Sequence, residues 1–202
     1  MSKNFIQVIP EALSKEDCES IIAAIETKSE YFAPDVERPE GIFVDNDEHR
    51  NDVSLFPINF QSLQPATELV CDTIKANTPD DWEGNEKHWH YLEHIKFQKA
   101  LPGGGFTGIH TEQGASESSS TRFMVWMIYL NDVPEGGRTI FTQHDIEFKP
   151  EAGTLIYWPA AYTHYHASTP DLKSVKYIAT GWFSYSSDSK IFHFRNELQS
   201  DD

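Results

Sequence analysis

Along the first third of the chain apolar residues recur at helical spacing, and beyond residue 90 the spacing shortens to that of strands. Cys18, Ile21, Ile22 and Ile25 follow Ser14, and an acid, Asp17, stands three residues after that serine. A serine before the first turn with an acid three positions on marks a helix start, so a helix over 15–28 with one face on a core is predicted. Leu63, Leu69, Val70 and Ile74 predict a second amphipathic helix over 62–77, in which Pro65 fits only the first turn. The polar stretch from Ser29 to Asn51 contains Pro and Gly and reads as an irregular loop.

From residue 90 short runs of Ile, Val, Tyr, Phe and Trp alternate with turn signals such as Pro102–Gly105, Asn131–Asp132, Glu135–Gly137 and Pro150–Gly153. Strands are expected over 91–100, 106–112, 121–130, 138–142, 154–158, 163–168 and 175–185. Many short strands with regular turns make a sandwich or barrel, and helices that precede them buttress one of its faces. The fold class is therefore mainly β with flanking helices: a double-stranded β-helix, or jelly roll, backed by N-terminal α-helices. The expected organisation is one domain over 1–202: helical support and a substrate-side loop in 1–89, a jelly-roll core in 90–185, and a C-terminal tail in 186–202. Neither an internal repeat nor a linker interrupts it.

Composition narrows the partners. The 202 residues are 39% hydrophobic and 13% aromatic, which suits a packed domain. Sixteen Lys and Arg face 32 Asp and Glu, a formal net charge of -16, which repels phosphate backbones and anionic bilayers. Nucleic acid and membrane are thus not expected partners, whereas a basic peptide would be attracted. Cys18 and Cys71 lie in helix-like segments without a CxxC pair, so no disulfide framework is expected and a reducing cytoplasm is the default location. Met1 to Lys15 lacks the apolar run of a signal peptide, and the longest apolar stretch, Phe123 to Leu130, is too short to span a bilayer.

One tripeptide carries candidate chemistry. His110 and Glu112 stand two apart, and on a strand residues i and i+2 share a side, so an imidazole and a carboxylate can meet one ion. Two histidines and one carboxylate on one face of Fe(II) leave positions open for cosubstrate and O2. Alone, the tripeptide is a weak signal that an exposed strand end would also produce.

The surrounding sequence strengthens it. Pro102–Glu112 reads PGGGFTGIHTE, Tyr129–Phe141 reads YLNDVPEGGRTIF, Lys149–Tyr157 reads KPEAGTLIY, and His166–Pro170 reads HASTP before KYIATGW at Lys176–Trp182. In this order, over 95–185, the pieces resemble the catalytic core of prolyl 4-hydroxylase-like iron(II)- and 2-oxoglutarate-dependent oxygenases. In that family the second metal histidine precedes a proline by four residues and a basic residue by ten; His166, Pro170 and Lys176 have those spacings. The resemblance implies that His110, Glu112 and His166 hold Fe(II) and form the catalytic centre. Lys176 would grip the distal carboxylate of 2-oxoglutarate, as a long cation can. It also implies O2 as co-reactant, ascorbate as a supporting reductant, and hydroxylation of a C–H bond, first of all on a prolyl residue in a peptide or protein, with a free amino acid or small metabolite next.

Other residues keep two readings. Tyr129 is either a hydroxyl on the same 2-oxoglutarate carboxylate or a core tyrosine. Arg122 is read as flanking its strand, and Gly136, Gly137 and Gly153 as turn residues. His164, two before His166, is the rival ligand, although its spacing to Lys176 is twelve. His88, His90 and His94 read as structural histidines, His144 and His193 as solvated ones. The loops over 29–56 and Ser116–Ser120 are the expected lids. Two departures from the family stand out: Glu112 replaces the commoner aspartate, and Ala100-Leu101-Pro102 stands where a tyrosine that contacts 2-oxoglutarate is usual. A non-catalytic cupin-like metal protein, with His164 and His166 as an HxH element, is the rival class.

Overall fold

In the computed structural model residues 4–33, 36–78, 91–92 and 94–185 are described. The first predicted helix is α1 (Lys15–Glu26), and the Ser14 side chain accepts from the Asp17 N–H as expected of an N-cap. A 3-10 turn at Gln61–Leu63 leads into α2 (Gln64–Asn77), with Pro65 in its first turn. Both helices lie where the spacing put them.

Twelve strands are seen among the described residues: β1 (Gln7–Ile9), β2 (Ile42–Asn46), β3 (Arg50–Leu55), β4 (Tyr91–Leu92), β5 (Lys96–Ala100), β6 (Gly105–Phe106), β7 (Arg122–Tyr129), β8 (Thr139–Phe141), β9 (Ile146–Phe148), β10 (Leu155–Pro159), β11 (His166–Ser168) and β12 (Lys176–Ser184). They form a major sheet in the order β1-β10-β7-β12-β5-β3-β2, with β4 on β12 and β6 on β3, and a minor sheet in the order β11-β8-β9. Every pairing is antiparallel. This is the jelly roll expected, a large sheet facing a small one.

Side-chain alternation on β7 and β10 explains the two-layered core. Trp126 and Ile128, with Leu155 and Tyr157, face α1 and α2 and join Ile21, Ile25, Val70 and Ile74. Val125, Met127 and Tyr129, with Ile156 and Trp158, face the minor sheet and meet Phe141. A strand buried on both faces reads as a continuous apolar run, which is how 123–130 looked in the sequence. Lys99 and Tyr177 reach across to Glu26, at 2.7 and 3.0 Å, and tie the sheet to α1. At Gly153, φ is +82° and a Cβ would collide with the Leu13 carbonyl, so the turn before β10 admits only glycine.

Three expectations need correction, and further elements were not foreseen. The loop over 29–51 is in part a hairpin, β2 with β3, that extends the major sheet through β5. Its strands carry Asp, Asn and Ser among the apolar residues, so the alternation is broken and the pairing comes from β5. The strand expected over 106–112 ends at Phe106, and His110 makes only an isolated bridge to His166. The strand expected over 163–168 begins at His166, because Tyr162–His164 is a 3-10 turn. β1 and β9, three residues each, escaped a reading that rests on longer runs. The lid expected over 116–120 is a four-residue helix, α3 (Glu117–Ser120), capped by Ser116.

Candidate active site

Between the two sheets lies a cavity of about 250 Å3. β12 supplies one row of its wall, Lys176, Ile178, Thr180 and Trp182, while the alternate residues Tyr177, Ala179 and Phe183 face the helices. β5 supplies Lys96, Gln98 and Ala100, and the hairpin supplies Arg50 and Asp52. The minor sheet closes the cavity with Thr139, His166 and Ser168.

His110, Glu112 and His166 converge there, one donor atom from each lying within 4.8 Å of the others. Reciprocal backbone bonds between His110 and His166, 3.0 and 2.9 Å, set the two imidazoles side by side. Each ring has its Nδ1 against a carbonyl, Gly108 at 2.8 Å and His164 at 3.0 Å. With Nδ1 held there, both Nε2 atoms face Glu112 Oε1, at 3.4 and 3.5 Å. The other carboxylate oxygen accepts from Trp182 Nε1 at 2.9 Å. Phe106 stacks on His110 at 3.8 Å and the Trp158 ring meets His166 edge-on. Ring and carboxylate orientations are thus held from behind, as metal sites require. Burial works against the Glu112 charge, yet hydrogen bonds from both imidazoles, helped by the charges of His166 and Lys96, hold its carboxyl well below the usual range. With a metal in place of the shared protons, two imidazole nitrogens and an ionised carboxylate oxygen on one face would be a donor set that fits Fe(II) with open positions.

Lys176 is buried at the far end of the cavity, where its ammonium donates to the Gly137 carbonyl at 2.6 Å and to Ser168 Oγ at 3.1 Å. No carboxylate ion-pairs with it among the described residues; burial pushes its pKa down to about 8, against the upward pull of Asp52. A third ammonium proton remains for an external acid.

The other candidates separate cleanly. His164 lies off the cavity: the 3-10 turn aims it at the Asn4 carbonyl, 2.8 Å from Nε2, with Nδ1 at Thr163 Oγ1. The cupin-like HxH element therefore does not form. Tyr129 is fully buried, and its hydroxyl donates to Thr139 Oγ1 at 2.7 Å; Thr139, not the tyrosine, reaches the cavity. Arg122 does not merely flank its strand, as expected, but lines the cavity, stacked 3.7 Å above Trp182 and 3.8 Å from Glu112. His144 is half-buried, with Nε2 at the Thr163 carbonyl, rather than solvated. His94 meets Phe56 edge-on; His88, His90 and His193 lie outside the described residues. Neither Cys18 nor Cys71 is in a disulfide, and burial pushes the Cys18 thiol up to about 11. Arg50, Asp52, Lys96 and Gln98 had no signal in the sequence, because only long-range pairing brings β3 and β5 to the site.

Comparison with known proteins gives the same picture. Residues 95–184 match the family model of the 2OG-Fe(II) oxygenase superfamily. The chicken prolyl 4-hydroxylase subunit alpha-1 is 30% identical over 71 residues, a stretch covering 32% of this chain and 14% of that protein. The human subunit alpha-1 is 28% identical over 71 residues, 32% of this chain and 13% of its own length. The chain thus spans only about a seventh of these relatives. Among solved structures, the viral collagen prolyl hydroxylase of Paramecium Bursaria Chlorella virus-1, in its 2OG complex, superposes with a TM-score of 0.63 at 19% identity, over 90% of this chain and 96% of that one. A Pseudomonas putida prolyl-4-hydroxylase gives 0.60 at 16% identity, over 91% and 94%. The Trichoplax adhaerens prolyl hydroxylase, in complex with a hypoxia inducible factor peptide fragment, gives 0.65 at 13%, over 90% and 84%. At these identities the likeness establishes a shared fold.

Proposed function

We propose that this chain, whose residues 95–184 match the family model of the 2OG-Fe(II) oxygenase superfamily, is a member of it and a hydroxylase of the prolyl 4-hydroxylase-like kind. His110, Glu112 and His166 hold Fe(II), and Lys176 holds the distal carboxylate of 2-oxoglutarate. Residues 90–185 are the catalytic core and 1–89 its support, within one domain. The observation that carries the reading is the pairing of an open two-histidine, one-carboxylate face with a buried lysine that lacks an acid partner among the described residues.

Bound there, Fe(II) with 2-oxoglutarate and O2 supplies the oxidant that replaces a substrate hydrogen by hydroxyl, with succinate and CO2 as co-products. The chain's own residues perform the rest. Gly108 and His164 carbonyls fix the tautomers that turn both Nε2 atoms to the metal. Trp182 fixes the Glu112 carboxylate, and Lys176 orients the cosubstrate along the cavity. Tyr129 serves that end indirectly by holding Thr139, which reaches the cavity wall. Trp158, Phe106 and Trp182 wall the site with apolar surface and keep water away from the reacting atoms.

The substrate proposed first is a prolyl residue in a peptide or protein, as in the relatives named above; a free amino acid or small metabolite is second. Ascorbate is the proposed external reductant, on family likeness alone. A cytoplasmic location is proposed from the two cysteines, neither of them in a disulfide; no helix among the described residues is long and apolar enough to cross a membrane. Nucleic acid and membranes remain disfavoured as partners by the charge of -16.

The test is succinate formation from 2-oxoglutarate with added Fe(II), run with a panel of prolyl peptides and amino acids. His110→Ala and His166→Ala should each abolish turnover without loss of folded structure by circular dichroism. Undiminished turnover in either variant would remove that histidine from the metal site.

A further inference from the structure

Four cations line the cavity, Arg50, Lys96, Arg122 and Lys176, against two carboxylates, Asp52 and Glu112. This is the reverse of the chain as a whole, which carries -16. Three of the four cations have work. Arg50 pairs with Asp45 at 2.9 Å and Asp52 at 3.3 Å. Arg122 rests against Trp182 and Glu112. Lys176 is hydrogen-bonded at the cosubstrate end.

Lys96 is the exception. Its ammonium lies over the Trp182 ring, 5.3 Å from the centroid, and among the described residues it makes neither ion pair nor hydrogen bond. Burial lowers its pKa, and the nearest opposing influence is the charge of Glu112. That charge is committed to the metal once the site is loaded. A divalent metal and a doubly charged cosubstrate then cancel, and the cavity keeps its excess of cations. Lys96 is half-buried, Glu112 is turned to the metal site and Asp52 to Arg50, so an incoming acid gives its partly desolvated ammonium a partner of its own.

Lys96 and Lys176 stand at different ends of the β5–β12 pair. On the paired strands Lys96 stands opposite Thr180, whereas Lys176 stands opposite Ala100, four residues further along. At about 3.3 Å per residue that is roughly 13 Å. The five-carbon chain of 2-oxoglutarate measures about 6 Å from end to end. Lys96 therefore lies at the Glu112–Trp182 end of the cavity, away from the Lys176 end.

We propose that Lys96 receives a carboxylate of the substrate, so that the compound hydroxylated is an amino-acid-like acid with its carboxylate free, close to the carbon oxidised. The inference rests on the oxygenase reading above and deepens it. A free amino acid and the C-terminal residue of a peptide share this chemistry, and the acidic exterior favours small acids over acidic proteins.

The experiment uses the whole chain loaded with Mn(II), without oxygen, with and without 2-oxoglutarate. Calorimetry compares matched probes: L-proline with L-prolinamide, glycyl-L-proline with glycyl-L-prolinamide, and an end-blocked prolyl peptide. Each acid should bind about ten- to hundredfold more tightly than its amide. Lys96→Met should bring each pair close to equal affinity, and Lys96→Arg should keep the preference. Preference for proline alone assigns a free amino acid; preference within both pairs admits a peptide C-terminus. Acids that bind no better than amides or than the end-blocked peptide overturn the proposal, as does a preference that survives Lys96→Met. The underlying reading fails separately, on absent succinate formation by the wild type: succinate without acid preference removes only Lys96, and acid preference without succinate removes only the oxygenase assignment.

Discussion

Glu112 does two things at once that an aspartate would find hard to combine. One oxygen faces both imidazole Nε2 atoms while the other accepts from Trp182. The arm is longer than that of aspartate by about one carbon–carbon bond of 1.5 Å, so a shorter side chain on the same backbone would fall short of the imidazoles. Glu112→Asp should keep iron and lose most activity, because metal sites tolerate misplacement poorly; Glu112→Gln should lose both. Metal content and steady-state rates of the two variants check this. At the other end, Lys176→Ala should raise the 2-oxoglutarate requirement about ten- to hundredfold, at roughly 1.5–3 kcal/mol for a charge-assisted contact, with little change in the need for iron. Its pKa near 8 adds a pH dependence. The protonated form binds the carboxylate, so kcat/KM for 2-oxoglutarate should fall as pH rises through about 8. In Lys176→Ala that limb should vanish; a pH profile identical to the wild type would assign it to another group.

At the scale of elements, periodicity told the truth where one strand's own residues decide its faces. The period of two on β12 put Lys176 and Trp182 on one side, and the run over 123–130 announced a strand buried twice over. It failed where a neighbour decides. β2 and β3 are too polar to declare themselves, and they exist because β5 offers an edge; with them went Arg50 and Asp52, invisible as site residues until paired. His164 looked equivalent to His166 because a strand was read through both. The 3-10 turn rotates it out, and no spacing rule foresees a turn that starts two residues before a strand. The family resemblance pointed to His166 through its spacing to Pro170 and Lys176, and the fold brings that residue, rather than His164, beside His110 and Glu112. One element-level prediction concerns the seam between α1 and β10. Gly153→Ala must adopt φ near +82° and push against the Leu13 carbonyl. It should destabilise the fold by at least about 2 kcal/mol, read as a lower denaturation midpoint.

Taken as a whole, the molecule sets a cationic, apolar-walled cavity inside an acidic shell. The shell would repel phosphate backbones and anionic surfaces, and the cavity would receive small anions. The two sheets hold the His110–His166 bridge and the β12 row at a fixed separation, so metal donors and Lys176 are presented without rearrangement. That preorganised line from metal to lysine is the centre of the account. A crystal structure with Mn(II) and 2-oxoglutarate, grown without oxygen, measures it directly. One metal should lie about 2.0–2.2 Å from Nε2 of His110, Nε2 of His166 and a Glu112 carboxylate oxygen. The distal carboxylate of 2-oxoglutarate should lie within hydrogen-bonding distance of Lys176 Nζ. A metal held by His164, or a cosubstrate whose distal carboxylate turns away from Lys176, would contradict it.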